Sequence, residues 1–322
     1  MKSVYRWICL GLLLVLCNGC FGGTYLLVKS PENKYGYIDA SGTMVIPPQF
    51  ELAYPFQGDL ARFRLDKQFG FINRAGEVVI NPEFEDAKDF SQGIAAVQKG
   101  GRWGFIDTSG KFVVSPRYAD AQSFSNGLAA VLTLMKWGYI DSSGKTVIPH
   151  QFDEAREFHN GLAAVKITGA YGFIDLQGKV VIKPEFVFAG SFRSSLALVK
   201  SVDSYGFINR SGEYAINPRF TSAFPFQESR ARISAGRKWG FIDTAGKEII
   251  PLSYDYCDDF FEGLARVQKG QYWGYVGPSG KILINPRFIF AGNFKKERAY
   301  VETEAYSGYI NPAGEFIYKR KK

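Results

Sequence analysis

Short apolar runs alternate with polar, glycine-containing stretches along almost the whole chain. Within residues 94–118, the apolar runs are Ile94–Val97, Trp103–Ile106 and Phe112–Val114. Runs of this length, rich in aromatic and β-branched residues and separated by turn residues, are typical of antiparallel strands. We therefore predict an all-β protein whose basic unit is a three-stranded antiparallel meander.

A glycine that follows an aromatic residue marks every unit. Nine copies at one fixed spacing indicate a tandem array instead of a globular domain with a single hidden site. The spacing is 34 residues throughout, and the positions are Gly36, Gly70, Gly104, Gly138, Gly172, Gly206, Gly240, Gly274 and, after Ser307 in place of the aromatic residue, Gly308.

The turn after the second run carries a column of acidic or amide residues. Asp107 and Gly110 suit the first and fourth positions of a type I turn, where an Asp or Asn side chain bonds the following backbone. Because three members of the column are Asn and a further copy has Gly277, we predict turn capping instead of metal binding. The other members are Asp39, Asn73, Asp141, Asp175, Asn209, Asp243 and Asn311.

The third run is followed by a connector that differs from a strand. Proline at its start, as at Pro82 and Pro116, is expected to end the sheet by removing a donor. A phenylalanine then recurs in every connector, and we expect it to be buried between units. We call these residues the Phe column: Phe56, Phe90, Phe124, Phe158, Phe192, Phe226, Phe260 and Phe294.

The repeat count bears on how the array is arranged. The chain begins with a strand near residues 25–29 and ends near Tyr318 at the same phase, so that no unit is shared between the termini. Nine units also exceed the four to eight blades that are typical of propellers. The sequence therefore favours an open superhelical β array, with a closed propeller-like ring as the alternative.

The repeated residues resemble a known family. Trp103-Gly104-Phe105-Ile106-Asp107, with Gly110-Lys111, is similar to the WG (tryptophan–glycine) repeat of bacterial proteins, and the matching steps begin at Trp137, Trp239 and Trp273. Tyr, Phe or Ser replaces the tryptophan in the other copies. The resemblance implies a β-repeat fold and a role in molecular interaction, and it supplies no catalytic residues.

The first 23 residues predict export and lipid attachment. Lys2 and Arg6 precede an apolar run, Ile8–Leu16, that is too short to span a bilayer and is typical of a secretory signal. Gly19-Cys20 resembles the cleavage site of a bacterial lipoprotein. We predict a signal peptide at 1–19, a lipid-anchored linker at 20–23 with Cys20 lipidated, and one array at 24–322. The expected location is the cell envelope, at the outer membrane if the host is Gram-negative.

Composition narrows the function. A formal net charge of +8 on 322 residues is too mild to indicate a nucleic-acid binder. Cys257 stands in a slot that Ala fills elsewhere, which predicts a small buried side chain instead of a reactive thiol. His150 and His159 lie on an irregular segment without nearby cysteine, so a surface pair is favoured over a metal site. We expect no catalysis, no cofactor and no metal.

The variable positions between the first and second runs of each unit are the candidate binding surface. Equivalent loops of an array emerge on one face, and here that face is basic. We predict a membrane-tethered, non-catalytic scaffold for an anionic protein or envelope component. The alternative is a carbohydrate or cell-wall binder that stacks sugars on exposed tryptophans. The binding-face candidates are Lys99, Arg102, Lys136, Lys166, Lys200, Arg237, Lys238 and Lys269.

Overall fold

The structure is a computed structural model, and it describes residues 25–39, 41–193 and 195–322. These residues form 35 strands in nine small antiparallel sheets, or blades. Six of the eight first strands have two residues, and β20 and β28 have six: β4 (Leu52–Ala53), β8 (Asp86–Ala87), β12 (Asp120–Ala121), β16 (Glu154–Ala155), β20 (Phe188–Arg193), β24 (Ser222–Ala223), β28 (Tyr256–Phe261) and β32 (Phe290–Ala291). The second strands are β1 (Leu26–Lys29), β5 (Ala61–Leu65), β9 (Ile94–Lys99), β13 (Ala129–Thr133), β17 (Ala163–Ile167), β21 (Leu196–Lys200), β25 (Arg230–Ser234), β29 (Leu264–Lys269) and β33 (Ala299–Glu302).

The remaining strands complete each blade. The third strands, which carry the aromatic-Gly step, are β2 (Tyr35–Ile38), β6 (Gln68–Ile72), β10 (Arg102–Asp107), β14 (Lys136–Ile140), β18 (Ala170–Ile174), β22 (Tyr205–Ile208), β26 (Trp239–Asp243), β30 (Tyr272–Val276) and β34 (Tyr306–Ile310). The fourth strands are β3 (Met44–Phe50), β7 (Val78–Phe84), β11 (Phe112–Tyr118), β15 (Thr146–Phe152), β19 (Val180–Phe186), β23 (Tyr214–Phe220), β27 (Glu248–Tyr254), β31 (Ile282–Phe288) and β35 (Phe316–Lys321).

The predicted three-stranded unit was wrong by one strand, because most blades have four strands. Blades 2–9 each have four strands, because the start of the connector pairs with the second strand, as Ala53 does with Phe63. A single residue separates each fourth strand from the first strand of the next blade. We call it the junction residue, and at Glu51 its N–H donates to the carbonyl of Arg64 at 3.0 Å. The pairing between the start of the connector and the second strand involves too few residues to produce an alternating pattern in the sequence.

Proline does not end the sheet as expected. The fourth strand β7 continues through Pro82 to Phe84, and the register shifts where the third strand faces it. The bulge brings the backbone of the fourth strand against the glycine of the aromatic-Gly step. A Cβ on Gly70 would lie 2.5 Å from the carbonyl oxygen of Ile80 and 2.8 Å from the nitrogen of Pro82. The step therefore requires glycine because the partner backbone occupies the side-chain space.

The predicted turn capping is confirmed. The Oδ1 atom of Asp107 accepts the N–H of Ser109 at 2.9 Å and that of Lys111 at 3.1 Å, and the N–H of Gly110 bonds the carbonyl of Asp107. The hydroxyl of Ser109 donates to the same carboxylate, and this bond is the main cause that lowers the pKa of Asp107. These turns lie at the end of the blades that we call the turn face.

The Phe column holds neighbouring blades together, as predicted. Phe124 of blade 4 is 2% exposed and packs on Phe105 of blade 3, with 5.0 Å between the ring centroids. The same contact joins all eight consecutive blade pairs at 4.7–5.1 Å. Phe56 and Phe90 are half-buried and the other six are buried. Each of blades 2–9 therefore supplies one ring to the core of the blade before it.

The chain closes into a nine-bladed propeller ring, so the preference for an open array was wrong. Tyr309 of blade 9 donates its hydroxyl to the carbonyl of Leu27 in blade 1 at 2.6 Å. Among the described residues, blade 1 consists of β1–β3 and blade 9 of β32–β35, so these two blades share no strand there, as the sequence predicted. Closure comes instead from side-chain contacts across what we call the seam, between blades 9 and 1.

The segments that follow the first strands surround the ring axis. Burial lowers the pKa of Lys88 in blade 3, and the carboxylate of Glu157 in blade 5 opposes that effect. Likewise, burial raises the pKa of Asp259 in blade 8, and the guanidinium of Arg193 in blade 6 is among the charges that oppose that effect. Side chains two blades apart approach one another only where the blades converge, so these segments are near the axis.

The predicted signal peptide and Cys20 lie outside the described residues. Within the described part of the chain, no helix has the length and apolar character needed to cross a membrane.

Candidate functional site

All eight predicted binding residues flank the hairpins that join second and third strands. These hairpins emerge together at the end of the blades opposite the turn face, and we call this end the hairpin face. Register pairs such as Arg102 opposite Lys99 and Lys136 opposite Thr133 fix the positions of the flanking residues. Each loop belongs to a different blade, so the blades combine into one composite surface.

Four of the eight basic residues are already paired with carboxylates. Lys99 reaches Glu83 at 3.0 Å, and Lys136 reaches Asp153 at 2.5 Å. Lys166 similarly reaches Glu154 at 2.9 Å, and Lys238 reaches Asp255 at 2.5 Å. The hairpin face is therefore less basic than a count of its lysines suggests.

The other four basic residues differ in their surroundings. Lys200 lies over the ring of Tyr205 at 5.3 Å. Arg102, Arg237 and Lys269 are exposed and form no ion pair with any described residue. Lys269 is nevertheless close enough to contribute to the lowered pKa of Asp255, whose first cause is the hydrogen bond from Lys238. These three cations are the most available for an external anion.

Sequence reasoning missed the acidic junction residues. Glu85, which lies between blades 2 and 3, accepts the backbone N–H groups of Gly100 and Gly101, both at 2.8 Å. It thereby holds the hairpin of blade 3. Asp255 accepts the N–H of Gly270 at 2.7 Å, and Asp153 that of Gly169 at 3.3 Å. The available signal was an acidic residue directly after the final aromatic of the third run, at the same spacing. Pre-ordered loops lose less conformational entropy when they bind a ligand.

The tryptophans do not form an exposed sugar-binding column. Trp103 is 7% exposed, and Trp137, Trp239 and Trp273 are half-buried. Trp239 and Trp273 pack on either side of Tyr256, with ring centroids 5.4 and 5.8 Å from it. The aromatic slot as a whole is therefore engaged in packing between blades.

One polar cleft is lined by a tryptophan, Trp137. It has a volume of about 330 Å³ and lies around the first strand of blade 5. Glu154, Arg156 and Glu157 line it, with Trp137 on one side. Further lining comes from Gln122, His159 and Ser191. Planar polar side chains beside an indole ring can contact a polyhydroxylated molecule by hydrogen bonds and apolar stacking.

Cys257, His150 and His159 contact neighbouring residues of the fold. Cys257 is fully buried, and burial raises the pKa of its thiol. The ring of His150 lies 6.5 Å from that of Tyr118, whereas His159 lies 3.9 Å from Glu157. Across residues 25–322, leaving aside Ala40 and Ser194, no group of three or more His, Cys, Asp or Glu side chains is placed to hold a metal ion.

A buried ion network joins blades 7 and 8. Arg232 is 7% exposed, and its guanidinium lies 2.9 Å from Asp259 and 3.3 Å from Asp258. Arg266 pairs with the other oxygen of Asp258. Arg232 also stacks on Phe224, with 3.5 Å between its central carbon and the ring centroid, and donates to the carbonyl of Cys257. The positive charges of the arginines and the negative charges of the aspartates neutralise one another inside the protein. Because Arg232 and the two aspartates belong to different blades, these ion pairs link blade 7 to blade 8.

Comparison with known proteins identifies the repeat and the fold. The profile of the WG containing repeat matches residues 35–68, 69–103, 103–133, 137–169, 171–202, 205–239, 239–273 and 273–304. No curated protein matches the sequence.

Two solved structures are similar over most of the ring. One is titled crystal structure of the eukaryotic initiation factor, with a TM-score of 0.66, 12% identity, and coverage of 93% of this chain and 96% of the other. The second is dihydro-heme d1 dehydrogenase NirN in complex with DHE, with a TM-score of 0.52, 13% identity, and coverage of 92% and 73%. At such low identity, these similarities show the fold alone.

Proposed function

Because the chain belongs to the WG containing repeat family, we propose that its ring is a non-catalytic binding scaffold in the bacterial cell envelope. In this proposal a lipid on Cys20 tethers the ring to a membrane, and the hairpin face binds an anionic protein or envelope component. The proposal rests chiefly on the hairpin face, where loops from consecutive blades differ in sequence and stand side by side on one rigid ring.

The direction of β1 supports a particular orientation. β1 runs from Leu26 to Lys29 and then enters the hairpin of blade 1, so Tyr25 is at the turn-face end. Cys20 lies five residues before Tyr25, and five residues span at most about 17 Å. A lipid there would place the turn face toward the membrane. The hairpin face would then point away from the bilayer and remain open to partners.

The charge pattern supports an anionic partner. Arg102, Arg237 and Lys269 belong to blades 3, 7 and 8 and project from the hairpin face without a described ion-pair partner. Guanidinium and ammonium groups spread over several blades suit a partner with distributed negative charge. Such contacts weaken with salt because exposed charges are screened beyond about 8–10 Å at physiological ionic strength.

The test of the anchor is fractionation of cells that express the Cys20→Ser variant. We expect the variant to move to soluble fractions, and unchanged membrane association would reject lipidation at Cys20.

The test of the binding face is capture of partners from envelope extract by the ring. A variant with Arg102, Arg237 and Lys269 changed to Ser should lose capture, and capture by the wild type should decline with salt. The matched control changes the paired Lys99, Lys136 and Lys238 to Gln, which should weaken capture much less. Salt-independent capture that survives the first variant would reject the basic contact surface.

The polar cleft favours a second candidate function, namely binding of a carbohydrate. Trp137 is half-buried, so part of its ring faces a cleft that Glu154 and Arg156 also line. Binding of soluble cell-wall fragments by calorimetry, lost in Trp137→Ala and retained in the three-residue hairpin variant, would support this candidate over the first.

A further inference from the structure

The residue that follows the Ala or Cys of each first strand lies near the ring axis, and we call this position the axial slot. Its occupants in chain order are Tyr54, Lys88, Gln122, Arg156, Gly190, Phe224, Asp258 and Gly292. Slots of consecutive blades are within reach of each other, because Nζ of Lys88 in blade 3 donates to Oε1 of Gln122 in blade 4 at 3.0 Å. Arg156 of blade 5 is followed in blade 6 by Gly190, so the next slot offers it no side-chain acceptor.

The guanidinium of Arg156 has no hydrogen-bond acceptor among the described residues. Its Nε is buried without a hydrogen bond, and none of its nitrogens forms an ion pair with a described carboxylate. By contrast, Nε of Arg62 lies 2.7 Å from the carboxylate of Asp89, and Nε of Arg232 lies 2.9 Å from that of Asp259. Because unsatisfied donors away from water cost free energy, an incoming acceptor would be bound favourably at Arg156.

Aromatic rings hold this guanidinium in place without using its donors. Its central carbon lies 4.9 Å from the ring centroid of Phe188 and 5.7 Å from that of Tyr171. Cation–π contacts leave the N–H groups at the edge of the planar guanidinium available. The nearby carboxylate of Glu154 already accepts the hydroxyl of Tyr171 and the ammonium of Lys166, the latter at 2.9 Å. The donors of Arg156 are therefore positioned but not satisfied.

Arg156 lines the polar cleft of about 330 Å³ that Trp137 also lines. Gln122 on one side and Ser191 on the other add neutral hydrogen-bonding groups. All these residues belong to blades 4–6, and at least three blades separate blade 5 from blade 1 in either direction around the ring. The cleft therefore combines an indole ring, neutral polar groups and one unsatisfied cation, which suits a sugar that carries an anionic group.

The carboxylates in the lining favour a ligand with a single negative charge. Glu154 is paired with Lys166, whereas Glu157 has only His159 beside it, at 3.9 Å. By Coulomb's law, Glu157 would repel a dianionic phosphate about twice as strongly as a carboxylate at the same place. A carboxylate also matches two parallel N–H groups of a guanidinium in a bidentate pair. The charge pattern thus favours a carboxylate over a phosphate.

We propose that the polar cleft binds a sugar residue that carries one carboxylate group. Arg156 donates to the carboxylate of this sugar, and the exposed part of Trp137 contacts the sugar ring. Gln122 and Ser191 bond its hydroxyl groups. This inference rests on the second candidate function, carbohydrate binding at this cleft, and adds the class of sugar and the residue that selects it.

The experiment measures binding of small sugars to the mature protein, purified from membranes in detergent, by saturation-transfer NMR titration. Two matched pairs differ in the presence of a carboxylate: glucuronic acid with glucose, and N-acetylmuramic acid with N-acetylglucosamine. We expect the acidic member of at least one pair to bind at least about ten-fold more tightly than its neutral partner, since it gains charge-assisted hydrogen bonds. Glucose 6-phosphate should bind more weakly than glucuronic acid.

Two variants test the role of Arg156. Arg156→Gln should abolish the preference for the acidic sugar and leave binding of the neutral sugar unchanged. Gly190→Glu keeps Arg156 and its ring contacts but supplies a carboxylate from the next axial slot, where a Cβ would lie 3.6 Å from the nearest atom. It should also abolish the preference, without a change in thermal unfolding. Lys88→Gln removes a cation from the same slot two blades earlier and should leave the preference intact.

Equal binding of the acidic and neutral sugars in both pairs would overturn the proposal and leave carbohydrate binding intact. A preference that persists in both Arg156→Gln and Gly190→Glu would overturn the assignment of Arg156. Glucose 6-phosphate that binds as tightly as glucuronic acid would overturn the choice of a carboxylate. Absence of binding by any of the sugars would instead reject the carbohydrate function itself, so the failures are distinguishable.

Discussion

The hydroxyl of Tyr309 donates a hydrogen bond of 2.6 Å to the carbonyl of Leu27 and thereby joins the last blade to the first. Within the ring, the corresponding hydroxyls of Tyr37, Tyr139 and Tyr275 bond a carbonyl that follows the first strand of the next blade. Tyr309 bonds the second strand instead. The carbonyl of Leu27 corresponds to that of Arg62, which accepts the backbone N–H of Tyr54 at 3.2 Å. Among the described residues, the donor to this carbonyl at the seam is therefore a side chain, whereas in blade 2 it is a backbone N–H.

Removal of this hydroxyl should loosen the seam in particular. Tyr309→Phe should cost about 0.5–1.5 kcal/mol, the usual net value of one hydrogen bond. Hydrogen exchange at Leu26–Lys29 should accelerate, because the bond holds this strand to blade 9. Tyr139→Phe, which loses the equivalent bond to Arg156 at 2.8 Å, should cost a similar amount and leave exchange in β1 unchanged. Unaltered exchange in Tyr309→Phe would show that other contacts close the ring.

Alkaline pH should weaken the seam. Burial raises the pKa of Tyr309 to about 12, above the value of about 10 for an exposed tyrosine. The folded state therefore favours the neutral hydroxyl. Its contribution to stability is complete below pH of about 10 and is lost as the pH rises to about 12. Urea unfolding between pH 9 and 12 should show falling stability, with a shallower slope in Tyr309→Phe. Identical slopes for the two proteins would contradict this assignment.

The Phe column should carry the coupling between blades. Phe124→Ala should cost about 3–5 kcal/mol, because it leaves a cavity against Phe105. Since each blade contacts chiefly its neighbours, the unfolding transition should also become less cooperative. Val113→Ala, at a position that is 38% exposed in the neighbouring strand, should change stability by no more than about 0.5 kcal/mol. A loss below about 1 kcal/mol for Phe124→Ala in denaturant unfolding would place the measured value outside the buried-Phe range.

The aromatic-Gly step should reject even one methyl group. A Cβ on Gly104 would lie 2.6 Å from the carbonyl oxygen of Val114 and 2.7 Å from the nitrogen of Pro116. Gly104→Ala should therefore destabilise the protein by about 1–3 kcal/mol through overpacking. Gly190→Ala is the matched control, because the nearest atom to its Cβ would be 3.6 Å away. Comparable thermal stability of the two variants would show that the bulge in the fourth strand adjusts to the methyl group.

The sequence by itself determined the repeat, its strands, its turns and the inter-blade role of the Phe column. These features depend on local chemistry that recurs in each copy: Asp107 caps a turn through residues two and four positions away, and Phe124 meets the blade directly before it. The position of the hairpins on a common face also follows from strand alternation. The candidate basic residues were identified on that ground, without knowledge of their partners.

The tertiary structure alone decided the closure of the ring, the four-stranded blades and the charge of the hairpin face. Closure depends on the small rotation between adjacent blades summed over nine repeats, and on a contact between residues 282 positions apart. The sequence did not predict the first strands because six of the eight have two residues, which are too few to show a period, and the six-residue strands β20 and β28 are interrupted by a register shift. The lysines of the hairpin face are neutralised by carboxylates up to 17 positions away, as in the pair of Lys136 and Asp153. In that pair, the junction residue Asp153, which precedes blade 5, reaches the hairpin of blade 4, and only the folded ring brings the two side chains together.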